Sequence, residues 1–366
     1  MRKKKKEQRP LRALQVEVTS RCTRSCSICP RTSLFDTWQD GDLSESSWDI
    51  LKPDLGLAEH VHLQGWGEPL LNPNLPRWAA QAREAGCSVG ITTNGDLLPE
   101  NREWLLEGNV NLVVFSAAGS GERHSAFRDG AAFDRLVGEA AELVSQAKKK
   151  KLGIVFKLSY LFTRSNAHEL TGAVTMAADA GLNEVFLTHL DCPTSPHQQE
   201  ESAYDHHRMF FDAGPLLKEA AKIARRGKIA FKEPALNGEE VLACALNPMH
   251  FTFVTWDGRV GPCVNLLLPV SGSIPRYSGS NVSRVESFAY GRLDEAPLSQ
   301  LLQSRERGLF VTPLRKRLDA EDKFREGMSL ESCDLRILRG LEEAQSKRED
   351  VLSPHPLPPA CVACPK

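Results

Sequence analysis

Residues 14–30 read LQVEVTSRCTRSCSICP, and this stretch decides the fold. Its first six residues are rich in β-branched side chains and predict a strand. The loop that follows contains Cys22, Cys26 and Cys29 within eight residues. Four cysteines normally hold an iron–sulfur cluster, so a triplet without a nearby fourth would leave one iron of a cubane open to a substrate or cosubstrate. A zinc site with a distant fourth ligand and a set of unligated thiols are the alternatives.

The composition is that of a soluble globular protein. The chain has 366 residues, of which 41% are hydrophobic, enough for one large α/β domain and a smaller one. No stretch approaches the roughly 18 consecutive apolar residues of a membrane helix, and the amino terminus lacks the apolar segment of a signal peptide. We therefore expect a cytoplasmic protein without a membrane partner. Because the cytosol keeps thiols reduced, the ten cysteines indicate metal or redox chemistry rather than a disulfide framework.

Basic charge is concentrated at the amino terminus. The first twelve residues carry seven Lys or Arg side chains and one Glu, a net charge of +6, which leaves −7 for the rest of a chain whose net charge is −1. We predict that residues 1–11 form a disordered basic arm. The mildly acidic remainder argues against a broad phosphate-binding surface, so a nucleic acid partner is not expected.

Short β-branched runs alternate with longer amphipathic segments as far as about residue 235. This alternation is typical of repeated βα units that form a parallel sheet. The six predicted strands span residues 14–19, 60–64, 88–93, 111–115, 153–160 and 184–189. The predicted helices span residues 76–85, 131–150, 167–180 and 215–226. The polar segment 192–207 is too hydrophilic for a core, and we interpret it as an insertion or mobile loop on the active-site side.

The pattern changes near residue 235, which we take as the boundary between two domains, residues 12–235 and 236–366. In the second domain, the turn Asp257-Gly258 predicts a hairpin of residues 251–255 and 260–264. A loop is expected at residues 271–283, where Ser, Gly and Asn are frequent. Helices are expected at residues 298–309 and 334–346.

The spacing Cys22-x3-Cys26-x2-Cys29 after the first strand resembles the signature of the radical S-adenosylmethionine (radical SAM) superfamily. The resemblance implies that these thiolates hold a [4Fe-4S] cluster whose open iron chelates the amino and carboxylate groups of S-adenosyl-L-methionine (SAM). It also implies that an electron from the cluster cleaves the sulfonium, and that the resulting 5′-deoxyadenosyl radical abstracts hydrogen from a substrate. Ile28 stands where the family usually has an aromatic residue beside the adenine, so an aliphatic contact is expected there.

A second resemblance follows the second strand. Residues 64–71, QGWGEPLL, resemble the family's Gly-Gly-Glu-Pro stretch, whose backbone binds the amino group of the cosubstrate. This implies a cosubstrate-binding role for Trp66, Gly67 and Glu68, with Trp66 at the place of the usual first glycine. A strand-to-helix turn without such a role would also explain this motif.

Asn94 and Ser116, at the ends of the third and fourth strands, occupy positions that resemble those of the family's barrel strands. The resemblance implies hydrogen bonds from both residues to SAM, although single polar residues at strand ends often act only as loop caps. It covers residues 12–235 and implies an α/β fold, a partial (β/α)6 TIM-type barrel with its site at the carboxyl ends of the strands.

Four cysteines of the second domain, Cys244, Cys263, Cys361 and Cys364, suit either one tetrahedral zinc site or one fully ligated cubane. They resemble the SPASM and twitch extensions of radical enzymes, which bind auxiliary clusters. The resemblance implies one auxiliary [4Fe-4S] cluster, with Cys333 as an alternative ligand and structural zinc as the alternative occupant.

Other residues are secondary candidates. We expect Cys87 to be a small buried side chain and Cys192 to lie in the loop after the sixth strand. Weaker candidates for substrate contact or cosubstrate binding are Arg128, Lys157, His189, His197, His206 and His207.

The resemblance implies a radical SAM enzyme that acts on a peptide or protein, or that takes part in the maturation of a cofactor. The variant Gly-Trp-Gly-Glu-Pro-Leu-Leu also resembles maturases of tungsten oxidoreductases. A reductase, ferredoxin or flavodoxin is implied as the electron donor. Two alternatives stay open: an RNA-modifying radical SAM enzyme, and a non-catalytic zinc- or cluster-binding scaffold, which would explain the cysteines but not the ordered strand-end motifs.

Overall fold

The computed structural model describes residues 9–205, 208–233, 244, 246–278, 281–331, 348, 352–358 and 361. His206, His207, Cys333, Cys364 and the helix predicted at residues 334–346 lie outside the described residues, as does most of the predicted basic arm.

A ten-stranded sheet forms the centre of the molecule, with strand order β14-β11-β10-β1-β2-β3-β4-β5-β6-β9. All neighbours from β10 to β9 are parallel, whereas β11 and β14 are antiparallel additions. The strands of this sheet are β1 (Leu11–Val16), β2 (Ala58–Leu63), β3 (Ser88–Thr93), β4 (Leu112–Ala117), β5 (Val155–Leu161), β6 (Glu184–Thr188), β9 (Ala230–Lys232), β10 (Phe251–Val254), β11 (Arg259–Gly261) and β14 (Gly291–Arg292). The six predicted βα strands are confirmed as neighbours in chain order, which is the parallel sheet of a partial TIM-type barrel.

Two small hairpins lie outside this sheet. They consist of β7 (Tyr204–Asp205) with β8 (Arg208–Met209), and of β12 (Ile274–Ser278) with β13 (Asn281–Val285). The helices are α1 (Pro30–Ser33), α2 (Glu45–Leu51), α3 (Leu75–Glu84), α4 (Leu98–Leu105), α5 (Glu122–Phe127), α6 (Phe133–Lys149), α7 (Leu170–Asp179), α8 (Pro196–Glu201), α9 (Gly214–Arg226), α10 (Leu298–Leu301) and α11 (Arg305–Glu331). Within the described part of the chain, no helix has both the length and the apolar character of a membrane span.

Alternation along the strands gives the sheet two different faces. Alternate residues of β1 to β6, among them Val16, Val61 and Ile91, are fully buried in one core with the helices. Two stacked tryptophans, Trp48 of α2 and Trp78 of α3, belong to that core with ring centroids 4.8 Å apart. The opposite face carries polar side chains, which in the first four strands and directly after them are Gln15, Glu17, His62, Gln64, Thr92, Asn94 and Ser116. Parallel strands are usually apolar on both faces, so this polar interior indicates a site.

Three strands of the carboxyl-terminal part, β10, β11 and β14, extend the large sheet, whereas β12 and β13 form their own hairpin. β10 lies parallel to β1 and pairs Phe251 with Ala13 and Phe253 with Gln15. The Asp257-Gly258 hairpin is confirmed as β10 and β11. Strand β1 begins at Leu11, which is fully buried, and the side chain of Arg9 donates to the carbonyl of Ala58. Residues 9–11 of the predicted basic arm therefore pack against the folded protein.

Two predictions from polar composition were wrong. Residues 271–283 form most of the β12–β13 hairpin rather than a loop, because Ile274 and Val285 are buried beneath it. The segment 192–207 contains helix α8, which is capped by Ser195. Gln198 of this helix is fully buried, and its side chain accepts a hydrogen bond from the N–H of Thr194 and donates one to Ser33 Oγ. Satisfied hydrogen bonds allow these polar residues to be buried. The helix predicted at residues 298–309 is divided into α10 and the much longer α11.

His62 predicts a pH dependence of stability. Burial lowers its pKa to about 4, and its Nε2 is hydrogen-bonded to Oγ1 of Thr92 at 2.9 Å. Between pH 6.5 and pH 4 the unfolded chain therefore binds a proton that the folded chain does not, so the free energy of unfolding falls as the pH falls, by up to about 3 kcal/mol from this residue. We expect His62→Gln to reduce the fall measured by anaerobic urea denaturation at pH 7 and pH 5. His168→Gln, at an exposed position, serves as control. The prediction is contradicted if the free energy of unfolding falls equally between pH 7 and pH 5 in the wild type and in both variants.

Candidate functional site

The three cysteines of the first motif lie on one loop, residues 22–29, which we call the cysteine loop. It leaves β1 at the carboxyl ends of the parallel strands and runs into α1, where Cys29 is the N-cap and Pro30 starts the helix. Cys26 is buried and the other two thiols are half-buried. Burial raises the pKa of the Cys29 thiol to about 12, and Cys26 and Cys22 add to that rise. The thiols therefore lie close enough to repel one another as thiolates, and such a set favours bound cations.

The cysteine loop is fastened to β3 and α5. Arg24 forms an ion pair with Asp96. Its guanidinium Nη1 donates to the carbonyl oxygens of Arg128 at 3.2 Å and Asp129 at 3.1 Å. The amide of Asn94 donates to Thr23 Oγ1 at 2.9 Å and to Cys22 Sγ at 3.7 Å. A hydrogen bond to a cysteine sulfur is among the contacts that tune iron–sulfur clusters. The predicted Asn94 is thus in the site, beside Cys22.

Residues 64–71, the Gly-Trp-Gly stretch, pack directly against the cysteine loop. The backbone N–H of Glu68 donates to the carbonyl of Arg21 at 2.8 Å. A Cβ at Gly67 would lie 2.3 Å from the Arg21 carbonyl oxygen and 2.5 Å from that of Thr19, so only glycine fits. The backbone φ angle of Trp66 is not in the left-handed region, so tryptophan at this position requires no strained backbone. Among the hydrogen bonds of the described residues, none uses the carbonyl of Trp66 or Gly67.

The side chain of Glu68 serves the fold. Its carboxylate accepts from Thr93 Oγ1 at 2.8 Å and from the N–H groups of Asn94 at 2.7 Å and Leu70 at 3.2 Å. Burial raises its pKa to about 7, although these hydrogen bonds oppose the rise. The carboxylate joins the end of β2 to the end of β3. The backbone of Glu68 is also engaged, since its N–H donates to Arg21 and its carbonyl accepts from the N–H of Leu71 at 3.1 Å.

Ser116 is joined by Arg128, which the sequence left among the weaker candidates. The Arg128 guanidinium donates through NH2 to Ser116 Oγ at 2.7 Å, and its buried Nε has no hydrogen-bond partner among the described residues. Its positive charge opposes the rise in the pKa of Cys29, and its backbone carbonyl accepts from Arg24, so Arg128 lies beside the cysteine loop. The sequence signal was a single arginine after the fourth strand, which is too weak to stand out.

Of the other weak candidates, Lys157 lies away from this site. Lys157 forms an ion pair with Glu184 at 2.9 Å, and Glu184 also contacts Lys232 at 3.1 Å, near the amino-terminal ends of their strands. Lys157 is therefore not a cosubstrate ligand. His197 is exposed on α8, whereas His189 directly follows β6 at the carboxyl edge of the sheet. Cys87 is fully buried, as predicted, with its Sγ 3.2 Å from the Leu55 carbonyl.

Glu17 was missed altogether. This fully buried residue follows β1, and its carboxylate accepts from the N–H of Trp66 at 2.8 Å and from the N–H of Trp256 at 3.3 Å. Burial raises its pKa to about 8. It joins the Gly-Trp-Gly stretch to the β10–β11 turn. A charged residue within the predicted strand 14–19 was the available signal.

The carboxyl-terminal cysteines are only partly described. Cys263 precedes a short 3-10 turn, and its Sγ accepts from the N–H of Asn265 at 3.3 Å. Burial raises the pKa of Tyr290, and the nearby Cys263 and Cys361 contribute to that rise. These two cysteines, distant in sequence, therefore approach the same tyrosine. Cys244 lies just before β10, and Cys364 and Cys333 are outside the described residues.

Trp66 connects the two cysteine regions. Its indole Nε1 donates to the carbonyl of Val264, the residue after Cys263, at 3.2 Å. Its ring meets that of Trp38 edge-on, with centroids 6.5 Å apart. Both tryptophans pack against a small apolar cluster of Leu34, Leu268, Val270 and Ile274. In the described part of the chain, no three His, Cys, Asp or Glu side chains converge on a point where one metal ion would bind.

The family model for the radical SAM superfamily matches residues 16–177, which contain the cysteine loop, the Gly-Trp-Gly stretch, Asn94 and Ser116. Residues 16–177 therefore form a radical SAM domain. Its similarity to the tungsten-containing aldehyde ferredoxin oxidoreductase cofactor-modifying protein of Pyrococcus furiosus is 24% identity over 306 residues, or 80% of this chain and 81% of that protein.

Two further matches cover parts of longer proteins. The chain is 25% identical to the PqqA peptide cyclase of Methylorubrum populi over 183 residues, which is 48% of this chain and 45% of that relative. Its fold matches Streptococcus suis SuiB bound to S-adenosylmethionine with a TM-score of 0.60 at 13% identity, over 81% of this chain and 66% of that chain. At that identity the match concerns the fold alone, and it confirms the α/β partial barrel.

Gly67 gives a direct test of the site's packing. We expect Gly67→Ala to lower the free energy of unfolding by about 2–4 kcal/mol and to reduce iron retention, because the methyl group would collide with the carbonyls of Arg21 and Thr19. Melting temperature and iron per chain measure the two effects. Gly138→Ala is the matched control, since its added methyl meets nothing within 4 Å in helix α6. A Gly67→Ala protein that melts and retains iron like the wild type would refute this.

Proposed function

We propose that Cys22, Cys26 and Cys29 hold a [4Fe-4S] cluster and that this radical SAM enzyme uses it to cleave SAM reductively and remove hydrogen from a substrate. The observation that carries the proposal is the cysteine loop itself, with three neighbouring thiols among the carboxyl ends of the strands. When bound, a reduced cluster with an open iron supplies the electron that divides SAM into methionine and a 5′-deoxyadenosyl radical, which takes a hydrogen atom from the substrate. The chain's own residues bind and orient the reactants.

The residues around the cysteine loop fit SAM. The amino group of SAM needs acceptors, and the carbonyls of Trp66 and Gly67 have no other described partner. Its carboxylate needs a cation, and Arg128 is oriented by Ser116 toward the cysteine loop. We propose that Asn94 contributes its amide at Cys22. We also propose that Glu68 contributes its backbone carbonyl, which accepts from the Leu71 N–H and has a second lone pair.

An apolar surface beside the cysteine loop suits the adenine. Ile28 is buried with Ala118 and Phe127, and Leu161 and Leu190 pack against these three residues. These side chains come from the cysteine loop, from α5 and from the carboxyl ends of β4, β5 and β6. An aliphatic contact from Ile28 therefore takes the place of the aromatic residue that is usual in the family.

Production of 5′-deoxyadenosine tests this proposal. Wild-type protein, reconstituted anaerobically with iron and sulfide and supplied with dithionite and SAM, should form 5′-deoxyadenosine. The triple variant Cys22→Ala, Cys26→Ala, Cys29→Ala should lose at least about 100-fold of that activity, since the ligands are gone. Cys87→Ala, which removes a buried cysteine outside the site, should keep it. Equal product from the triple variant and the wild type would reject the assignment.

For the substrate we propose a peptide, a protein or the precursor of a cofactor. The relative from Pyrococcus furiosus, which matches along most of its length, is a cofactor-modifying protein. The Methylorubrum relative is a peptide cyclase. A reductase, ferredoxin or flavodoxin is the proposed electron donor, since the chemistry requires one low-potential electron.

We further propose that Cys244, Cys263, Cys361 and Cys364 hold one auxiliary [4Fe-4S] cluster in a SPASM- or twitch-like domain of residues 236–366. Support comes from Tyr290, which both Cys263 and Cys361 approach. The segment before Cys361 is anchored, because Arg317 of α11 donates to the carbonyl of His355 at 2.6 Å. The donor set of four thiols is the normal one for such a cluster.

Metal content separates the auxiliary cluster from its alternative. Reconstituted wild-type protein should contain about eight iron ions per chain, and the double variant Cys263→Ala, Cys361→Ala about four. Cys87→Ala should match the wild type. About four iron ions and one zinc ion in the wild type, with only the zinc lost in the double variant, would show that the second site is a structural zinc site.

A further inference from the structure

Arg276 is a buried guanidinium that the proposed reaction does not use. It lies on β12, in the hairpin where the sequence predicted only a loop, and its exposed fraction is 5%. Its NH2 donates to the backbone carbonyl of Asn265. Its NH1 is also buried, yet it has no hydrogen-bond partner among the described residues. Within the same part of the chain, no carboxylate forms an ion pair with it.

This arrangement is unfavourable for the protein alone. An arginine side chain stays protonated at any physiological pH, so burial cannot be relieved by loss of its proton. A buried charge without a counterion destabilises the folded protein, and a buried N–H donor without an acceptor adds to that cost. The unused NH1 is therefore a donor held ready for an anionic group that does not belong to the described protein.

The position of Arg276 relates it to the reaction site. Ile274, two residues earlier on the same face of β12, packs in the apolar cluster with Trp66. Asn265, which accepts from Arg276, is adjacent to Val264, which accepts from the Trp66 indole. Arg276 is thus connected to the Gly-Trp-Gly stretch in two ways, through Ile274 and through the adjacent residues Asn265 and Val264.

The next residue, Tyr277, links β12 to the loop that follows β6. Its backbone N–H donates to the carbonyl of Pro193 at 3.0 Å. In the same loop, Thr194 Oγ1 lies 2.6 Å from Oγ of Ser33, in the helix that starts directly after Cys29. Arg276 consequently lies in a wall built from the loop after β6, the Cys263 segment and Trp66, at the carboxyl edge of the sheet.

We propose that Arg276 binds an oxyanion of the substrate, a carboxylate or a phosphate, and so orients the substrate at the cluster site. The inference rests on the radical SAM activity proposed above, and it defines the chemical class of substrate. The guanidinium fork matches both anions, which arise in acidic peptides and in phosphorylated cofactor precursors respectively. SAM also carries a carboxylate, for which the proposed partner is Arg128.

Two small probes test the site in the reconstituted full-length protein with SAM bound. Sodium phosphate and sodium acetate are titrated separately, with the ionic strength held constant by sodium chloride, and the melting temperature is followed. At least one of the two should raise the melting temperature of the wild type along a saturable curve, since a ligand of the folded state stabilises it. The effective anion indicates a phosphorylated substrate or a carboxylate-bearing one.

The variants locate that binding. Arg276→Gln should lower the affinity for the effective anion by at least about tenfold. Arg276→Met serves as the second variant in case the first does not fold. Arg284→Gln is the matched control, because it removes an exposed guanidinium from the neighbouring strand β13, and it should bind like the wild type. Unchanged affinity in both Arg276 variants, or no saturable effect of either anion on the wild type, overturns the proposal.

Equilibrium dialysis of SAM tests whether Arg276 binds the carboxylate of SAM instead of a substrate anion. If Arg276→Gln loses SAM affinity as strongly as Arg128→Gln, the guanidinium serves the cosubstrate and the proposal is wrong. The 5′-deoxyadenosine assay on the wild type is independent of both anions. Its failure would reject the radical chemistry, whereas failure of the anion titration alone would reject only the role of Arg276.

Discussion

The contact between Glu68 and Arg21 is the constraint on which the rest of the site depends. A backbone hydrogen bond joins the end of β2 to the start of the cysteine loop, and the adjoining Gly67 has no Cβ because the carbonyls of Thr19 and Arg21 occupy that space. This close approach places the Gly-Trp-Gly stretch beside Cys22. The same stretch then fixes β3 through the Glu68 carboxylate and β10 through Glu17.

Several buried acidic groups lie where these elements meet. Burial raises the pKa of the Cys22 thiol, and the nearby Glu68 and Cys26 contribute to the rise. Burial also raises the pKa of Glu17 to about 8 and that of Glu68 to about 7. An apolar site that contains several such acidic groups favours cationic occupants. Iron ions and the sulfonium and amino groups of SAM satisfy this condition, and Arg128 provides a local cation for the one anionic group of SAM.

The carboxyl-terminal part of the chain completes the site through direct contact with the barrel. β10 pairs with β1, so the two parts share one sheet. Trp66 donates to the Val264 carbonyl beside Cys263, and Glu17 accepts from Trp256. Because these bonds all start from the first two strands, the position of the second cysteine set is coupled to that of the first. The wall that contains Arg276 is part of the same arrangement.

The sequence by itself determined the local features of this protein. The six parallel strands were predicted within a few residues, since their apolar alternation reflects local burial, and the three cysteines were evident because close spacing in sequence guarantees closeness in space. The β12–β13 hairpin and the buried Gln198 were not predicted, because polar residues are buried only when distant partners satisfy their hydrogen bonds. Only the tertiary structure could select Arg128 over Lys157 and reveal Glu17 and Arg276, since the role of a lone charged residue depends on which groups from other elements surround it.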